Sequence, residues 1–179
     1  MATYKMKIAG LERELERFAV SDKLDIAAFI LFGDTEITVA SAEALLKKVP
    51  EFDIILTPEA KSIPLAYEMS RQSGKPYKVA RKGVKVYMGD EPLKVEVRSI
   101  TTQKVQELYL GQNDVEAIKG KRILLVDDVI STGESLIALR RLCGEAGGIE
   151  AASCAVLAEG DAADRDDIIF LEKLPLFFK

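Results

Sequence analysis

The sequence predicts an α/β fold in which helices cover both faces of a parallel β-sheet. Uninterrupted apolar runs such as ILLV alternate along the chain with amphipathic segments of helical spacing. The chain has 179 residues, which is enough for one compact domain with a small appendage but hardly for two full domains. We therefore expect one domain over residues 1–179, with its ligand site at the carboxyl ends of the parallel strands.

Four elements are predicted before residue 60. In chain order they are a helix at 7–19, an apolar segment at 24–32, a helix at 41–49 entered through Ser41, and the strand FDIILT at 52–57. The first helix is inferred because Ile8, Leu11 and Leu15 recur at helical spacing with charged residues between them. Pro50 separates the second helix from the strand.

The remaining elements follow the same alternation. In chain order they are a helix at 62–73 that ends at Gly74, the strand KPYKVAR at 75–81, extended arms or a hairpin within 83–120, the strand RILLVDD at 122–128, the helix ESLIALRRLCGEAG at 134–147, the strand IEAASCAVLAE at 149–159, and the short strand DIIFL at 167–171. Residues 83–120 show alternating runs but no clear helical period.

Composition excludes several classes of function. The formal net charge of −4 disfavours a nucleic-acid partner, since affinity for phosphate backbones needs excess Lys and Arg. The chain has two cysteines without a CxxC pair and no histidine, so neither a zinc site nor a disulfide framework is supported. We therefore expect a reduced, cytoplasmic protein. Because the chain has no histidine, the groups available for catalysis are carboxylates, lysines, backbone amides and metal-bound water. The apolar segment at 26–32 is too short to span a bilayer, and no signal peptide is recognised, so no membrane association is expected.

The segment ILLVDDVISTGES at 123–135 carries the strongest functional signal. Asp127 and Asp128 end a predicted buried strand, where their repulsion and desolvation cost stability unless they bind something. The small polar residues that follow lead into a helix, whose first N–H groups and dipole favour a phosphate. The expected ligand therefore combines a phosphate with hydroxyls or a metal, as ribose 5-phosphate does.

This segment resembles, position by position, the signature of type I phosphoribosyltransferases. The resemblance implies that Asp127 and Asp128 are the catalytic acids and contact the ribose hydroxyls of phosphoribosyl pyrophosphate (PRPP). It implies a site for the 5-phosphate formed by Ser131, Thr132, Gly133, Glu134 and Ser135. Two alternatives remain, namely an Asp-Asp N-cap at an ordinary strand-to-helix turn and the phosphoacceptor acids of another phosphotransfer fold. Neither a Walker loop nor a GxGxxG fingerprint is present.

A second segment, LTPEAKSIPLA at 56–66, resembles the pyrophosphate loop of the adenine and xanthine enzymes of this family. The residues implied for pyrophosphate binding here are Glu59, Ala60, Lys61 and Ser62. Ser62 stands where the family usually has glycine, and a side chain there disfavours a left-handed backbone. The alternative is an exposed helix start without a binding role.

The stretch KPYKVARKGVK at 75–85 reverses the acidic charge of the chain locally. By resemblance to the Arg-Lys pair of purine phosphoribosyltransferases, Arg81, Lys82 and Lys85 are expected to meet pyrophosphate. The alternative is a solvated sheet edge whose lysines discourage aggregation, and this interpretation is favoured for Lys75 and Lys78.

Residues 86–110 are similar to the flexible loop that closes over the reacting centre in this family. The segment RSITTQ resembles that of the xanthine branch, which makes Ser99, Thr101 and Lys104 candidates. Such a lid is needed because water would also attack an oxocarbenium-like ribosyl group. The alternative is an ordinary β-hairpin.

The N-terminal segment AAFILFGDTEITV at 27–39 resembles the hood that covers the base in the adenine and xanthine enzymes. Phe29, Phe32 and Ile37 are the implied base-binding residues, although such residues are more often core. The expected division of the domain is an N-terminal helix and hood at 1–49, a PRPP-binding core at 50–160, and a C-terminal strand and tail at 161–179.

Taken with its motifs, the resemblance implies transfer of the 5-phosphoribosyl group from PRPP to a purine base, with release of pyrophosphate. Adenine is the favoured acceptor. Xanthine or guanine transfer, or a non-catalytic PRPP-binding regulator, are the alternatives. Mg²⁺ is the implied cofactor, bound mainly through PRPP rather than directly by the protein, and a homodimer is expected.

Overall fold

The computed structural model of the protein describes residues 2–98 and 105–179. The strands are β1 (Thr3–Ile8), β2 (Leu11–Ser21), β3 (Leu24–Ala27), β4 (Ile54–Pro58), β5 (Tyr77–Ala80), β6 (Leu93–Arg98), β7 (Val105–Leu110), β8 (Arg122–Ile130), β9 (Ile149–Glu159), β10 (Ile169–Leu174) and β11 (Phe177–Phe178). The helices are α1 (Thr35–Leu46), α2 (Ile63–Ser73), α3 (Gln112–Ile118) and α4 (Glu134–Glu145), with short 3₁₀ helices at Val86–Met88 and Gly160–Asp164.

Five strands form a central sheet in the order β10-β9-β8-β4-β5, and all neighbouring pairs are parallel. Alternate residues of β8 enter two different apolar clusters, with Leu124 in one and Ile123 in the other. One cluster includes α1 and α2, and the other includes α4 and the hairpin of β6 and β7. Burial on both faces explains why the strand sequence is apolar without interruption.

The helix predicted at residues 7–19 is wrong, because β1 and β2 form an antiparallel hairpin there. Leu11, Arg13 and Leu15 face inward, at least in part, while the glutamates between them are exposed, which is the two-residue period of a strand. Ala9 and Gly10 connect the strands with positive φ angles of 48° and 86°. Such a two-residue turn fits a twisted hairpin and cannot continue a helix.

Strands β1, β2, β3 and β11 form a second sheet, here called the hood sheet. In it Phe177 pairs with Asp25, and Nζ of Lys179 lies 2.7 Å from Oδ1 of the same aspartate. The guanidinium of Arg17 lies 4.0 Å from the ring centre of Phe177. Residues 161–179, predicted as a strand and tail, therefore contribute to both sheets.

One further helix prediction is corrected, and one helix was missed. Helix α1 begins at Thr35 rather than near residue 41, because Asp34 caps it by accepting a 3.1 Å hydrogen bond from the N–H of Ile37. Ser41, the predicted entry residue, is buried inside the helix. Helix α3 was not predicted, since its seven residues are too short to display a helical period.

The other elements agree with their predictions within a few residues. Helix α2 ends at Gly74, which adopts the left-handed conformation that commonly follows a helix, with φ of 71°. Strands β6 and β7 pair antiparallel, as expected for a hairpin between residues 83 and 120. The carboxyl ends of β4, β5, β8 and β9 consequently meet at one edge of the central sheet.

Candidate active site at the carboxyl edge of the central sheet

Asp127 and Asp128 lie near the carboxyl end of β8, which continues to Ile130. Asp127 is half-buried and its Oδ1 accepts a 2.9 Å hydrogen bond from the N–H of Asp128, whereas Asp128 is only 3% exposed. Burial raises the pKa of the Asp127 carboxyl well above its ordinary value, and the neighbouring charge of Asp128 adds to the effect. The fold therefore bears the cost of holding two acids together.

Lys61 partly offsets this cost. Its Nζ lies 3.2 Å from Oδ2 of Asp128, and the side chain comes from the loop between β4 and α2. The same Oδ2 is buried and accepts no hydrogen bond within the residues that the structure describes. A buried acceptor without a hydrogen bond is costly, so this carboxylate is suited to receive a donor or cation from a ligand.

Residues 131–135, the phosphate loop, connect β8 to α4 and line a small hollow of about 40 Å³ together with Asp127. Gly133 precedes the helix with φ of 82°, a left-handed conformation that favours glycine. Ser135 is held by Gln106 of β7, whose Nε2 lies 3.2 Å from its Oγ. Because the first N–H groups of α4 have no acceptor within the helix, the hollow is suited to an anion.

The acidic and basic side chains predicted to bind pyrophosphate lie close together at the ends of β4 and β5. Oε2 of Glu59 accepts a 3.0 Å hydrogen bond from the N–H of Lys82 and lies 3.2 Å from Nε of Arg81. That Nε atom is buried and forms no hydrogen bond within residues 2–98 and 105–179. The structure thus brings Glu59, Arg81 and Lys82 together.

Ser62 does not require the backbone freedom of glycine. Its φ and ψ of −83° and −7° are right-handed, and its Oγ donates a 3.0 Å hydrogen bond to the carbonyl of Pro58. Oγ1 of Thr57 lies 2.8 Å from the Oγ of Ser62 and the same distance from the carbonyl oxygen of Val126. The serine therefore ties the pyrophosphate loop, residues 59–62, to both β4 and β8.

Comparison with known proteins identifies the family to which this site belongs. The family profile described as phosphoribosyl transferase domain matches residues 35–174, which is more than half of the chain. The chain belongs to the phosphoribosyl transferase domain family. The family that the motif at 123–135 indicated is thereby confirmed.

Two curated phosphoribosyltransferases illustrate the similarity in sequence. The hypoxanthine/guanine phosphoribosyltransferase of Methanococcus voltae is 38% identical over 113 residues, which cover 63% of this chain and 56% of that protein. The adenine phosphoribosyltransferase of Thermotoga maritima is 34% identical over 110 residues, covering 61% of this chain and 59% of that protein. The chain thus spans little more than half the length of the curated relatives it matches, and both are named for purine bases, the branch that the motifs indicated.

A solved phosphoribosyltransferase shows the same architecture. The crystal structure of adenine phosphoribosyltransferase from Thermoanaerobacter pseudethanolicus aligns with a TM-score of 0.71 over 89% of this chain and 95% of that one, at 23% identity. This likeness concerns the fold, and it confirms the predicted type I phosphoribosyltransferase fold on a parallel sheet. Within the described ranges, no helix is both long and apolar enough to cross a membrane.

The other residues predicted for the phosphoribosyltransferase site differ in how far they are buried. Phe29 and Ile37 are 4% and 1% exposed and belong to the core, so they offer almost no surface to a base. Phe32 is 56% exposed and lines an apolar hollow of about 510 Å³ between α1 and α2. Ser99, Thr101 and Lys104 lie outside the described residues.

Three lysines of the stretch at 75–85 differ in their surroundings. Lys85 is exposed in the segment that precedes the 3₁₀ helix at Val86–Met88. Lys78 lies on β5, the edge strand of the central sheet, but its Nζ is 2.8 Å from Oδ1 of Asp114 in α3, so it is ion-paired rather than simply solvated. Lys75 is half-buried just before β5.

Sequence reasoning missed two charged residues beside the phosphoribosyltransferase motif. Glu159 ends β9, next to β8, and burial raises the pKa of its carboxyl. Arg165 follows the second 3₁₀ helix and approaches Gly133 across the phosphate loop. A lone arginine within the acidic run GDAADRDD was the available signal, but nothing in the sequence indicates how closely it approaches a loop 32 residues earlier.

Proposed function

We propose that this phosphoribosyltransferase-family protein transfers the 5-phosphoribosyl group from PRPP to a purine base and releases pyrophosphate. The observation that carries the proposal is the meeting of Asp127, Asp128, Lys61 and the phosphate loop at one edge of the central sheet. Two acids suit ribose hydroxyls, and the start of α4 suits a phosphate. Asp127 and the loop line one hollow, so a single sugar phosphate could contact both.

In this proposal the phosphate loop anchors the substrate while Asp127 and Asp128 orient the ribose ring. As the bond to pyrophosphate breaks, positive charge develops on the ribosyl carbon, and the two carboxylates stabilise it. Lys61, Arg81 and Lys82 stabilise the negative charge that develops on the departing pyrophosphate. Catalysis is therefore mainly positional and electrostatic, with no need for a histidine.

Mg²⁺ fits this site through its acids. Oδ2 of Asp128 is buried without a hydrogen bond, and Asp127 stands beside it, so the carboxylates that would face the cation with its substrate are present. In the described part of the chain, no three potential ligand side chains cluster, so we propose that PRPP itself contributes most of the ligands. When bound, Mg²⁺ would neutralise pyrophosphate charge.

We propose adenine as the first acceptor, because the Arg-Lys pair and the pyrophosphate loop follow the adenine-type arrangement. Of the predicted base-binding residues, Phe32 has the exposed ring needed to stack on a purine. Hypoxanthine or guanine is the second candidate, since the relative from Methanococcus voltae is named for those bases. Xanthine is the third candidate, because the segment RSITTQ at 98–103 resembles that of the xanthine branch.

We further propose that the protein is a cytoplasmic homodimer. Both cysteines are buried and free, as expected for a protein kept reduced. Val86 and Tyr87 are 104% and 70% exposed close to the Arg81–Lys82 pair, and such side chains are suited to an interface. Light scattering after gel filtration would test the dimer, and a monomeric mass would refute it.

The test of function is pyrophosphate release from PRPP and Mg²⁺ with adenine, hypoxanthine, guanine and xanthine offered separately. Release with one base, lowered at least tenfold in folded Asp128→Asn protein, is the expected result. Near-wild-type turnover by that variant would contradict the roles assigned here. PRPP binding without release for any base would instead indicate a regulator.

A further inference from the structure

We propose that Arg165 binds the 5-phosphate of the substrate, as a cationic member of the phosphate site that its loop sequence does not reveal. The proposal rests on the function proposed above and adds a residue from outside the motif at 123–135. It is based on the position of the Arg165 side chain, on how its guanidinium is held, and on the charge of the site.

Arg165 lies directly over the phosphate loop. A Cβ atom placed on Gly133 would lie 2.6 Å from Nη1 of Arg165, which is closer than any side chain tolerates. Gly133 is also the residue that precedes α4, where the first helical N–H groups begin. The guanidinium edge therefore lies beside the residue at which these N–H groups begin, and the absence of a side chain at residue 133 leaves room for it.

Asp167 fixes the direction of this guanidinium. Its Oδ1 and Oδ2 accept hydrogen bonds of 2.8 Å each from Nε and Nη2 of Arg165. Nη1 is left over, and it donates no hydrogen bond within the residues described. An arginine with one edge paired and its remaining nitrogen beside Gly133 is placed to donate to an oxyanion bound at the phosphate loop.

Arg140 holds Asp167 in turn. From the middle of α4, its Nη1 lies 2.6 Å from Oδ2 of Asp167 and its Nη2 donates to the carbonyl of Asp167 at 3.1 Å. The segment that carries Arg165 is thus tied to the same helix that begins at the phosphate loop. The guanidinium is positioned relative to that helix without relying on the ligand, and its side chain is only 28% exposed.

The charge of the loop supports the same role. The five loop residues provide backbone donors and hydroxyls, and their single ionisable side chain is that of Glu134, an acid. A phosphate monoester carries up to two negative charges, which N–H groups and a helix dipole compensate only partly. Arg165 brings a positive charge to this position, and a guanidinium binds phosphate oxygens with strong directional hydrogen bonds.

The experiment uses two probes that separate the ends of the PRPP site. Calorimetry would measure binding of ribose 5-phosphate and of pyrophosphate with Mg²⁺ to wild-type protein and to Arg165→Gln, Arg165→Lys and Arg140→Gln variants. Arg140 is the matched control because it binds the same aspartate but lies two helical turns away from Gly133. Steady-state kinetics on the same proteins would give KM for PRPP and kcat.

We expect Arg165→Gln to weaken ribose 5-phosphate binding at least tenfold while pyrophosphate binding changes less than twofold. KM for PRPP should rise by a similar factor with kcat within threefold of wild type. Arg165→Lys keeps the positive charge but not the guanidinium that pairs with Asp167, so its ribose 5-phosphate affinity should lie between those of wild type and Arg165→Gln. This variant provides the test if Arg165→Gln does not fold. Arg140→Gln should weaken ribose 5-phosphate binding less than threefold, because Asp167 still pairs with Arg165, and it should leave pyrophosphate binding unchanged.

Equal ribose 5-phosphate affinity in wild-type and Arg165→Gln proteins would overturn the proposal. So would an equal loss of both probes, or a loss in Arg140→Gln as large as in Arg165→Gln, since either would show a structural role alone. If wild-type protein itself binds no ribose 5-phosphate, the proposed function fails first, and the role of Arg165 falls with it.

Discussion

Nζ of Lys61 and Oδ2 of Asp128 lie 3.2 Å apart, so an ion pair joins the loop at residues 59–62 to the acids near the end of β8. The lysine side chain is 55% exposed and the aspartate side chain 4%. Surface ion pairs contribute little to stability, and buried ones carry a large desolvation cost. The energetic contribution of an ion pair with one buried partner is intermediate. In this geometry the loop after β4 is held against the end of β8.

Lys61→Met should therefore lower the free energy of unfolding at pH 7 by about 1 kcal/mol, because Asp128 loses its cation. Adding Asp128→Asn should recover most of that loss, since an amide needs no counter-charge. Urea denaturation of the two single variants and the double variant measures the coupling. Strictly additive effects would show that the contact contributes nothing to stability.

The free energy of unfolding should depend on pH through the titration of the Asp127 carboxyl. Burial, with the charge of Asp128 second, raises the pKa of its carboxyl above the ordinary value of 3.8, so the folded protein retains a proton that the unfolded chain has released. Stability contributed by that proton is present at low pH and is lost as the pH rises from about 4 through the raised pKa. In Asp127→Asn this loss is absent.

The measurement is urea denaturation of wild type and Asp127→Asn at several pH values from about 4 to 8. We expect the stability of the variant relative to wild type to grow with pH. A constant difference over that range would contradict the raised pKa.

Gly133→Ala should destabilise the protein by about 1 kcal/mol, because the φ of 82° is left-handed and the new methyl would collide with Arg165. Gly144→Ala is the matched control within α4, where a Cβ meets no atom within 4 Å. That change should stabilise by about 0.5 kcal/mol through helix propensity. Thermal denaturation compares them, and equal stability of the Gly133→Ala protein and wild type would refute the collision.

Ser62→Gly, which restores the residue usual in the family, should not improve the enzyme. It should cost about 1 kcal/mol of stability, since it removes the hydrogen bond to Pro58 and adds backbone freedom to the unfolded chain. Ser62→Ala keeps the backbone restriction and should cost less. Faster pyrophosphate release by the glycine variant would contradict a functional loop built around serine.

The sequence was sufficient for the central sheet because apolar runs such as ILLV are buried on both faces, whatever the details of their neighbours. It misled at residues 7–19 because Leu11 and Leu15 satisfy both a helical and a two-residue period. The turn at Ala9 and Gly10 decides between them, and its geometry depends on the pairing of β1 with β2.

For the site, the motif at 123–135 located the acids and loop because strand ends and helix starts are local features. Phe29 and Ile37 were misjudged, since an apolar residue near a ligand and one in the core look alike in a sequence. Arg165 could not be foreseen. Its approach to Gly133 depends on the register of β9 and β10 with β8, which local composition does not encode.

The pairing of Phe177 with Asp25 also bears on the order in which the molecule assembles. These residues are separated by about 150 positions, so joining them carries a large loop-closure entropy until the strands between them are in place. We expect the central sheet to form first and β11 to join β3 last. The amides of β3 should then exchange hydrogen sooner than those of β8, and the hood sheet would be the part of the fold that opens most readily.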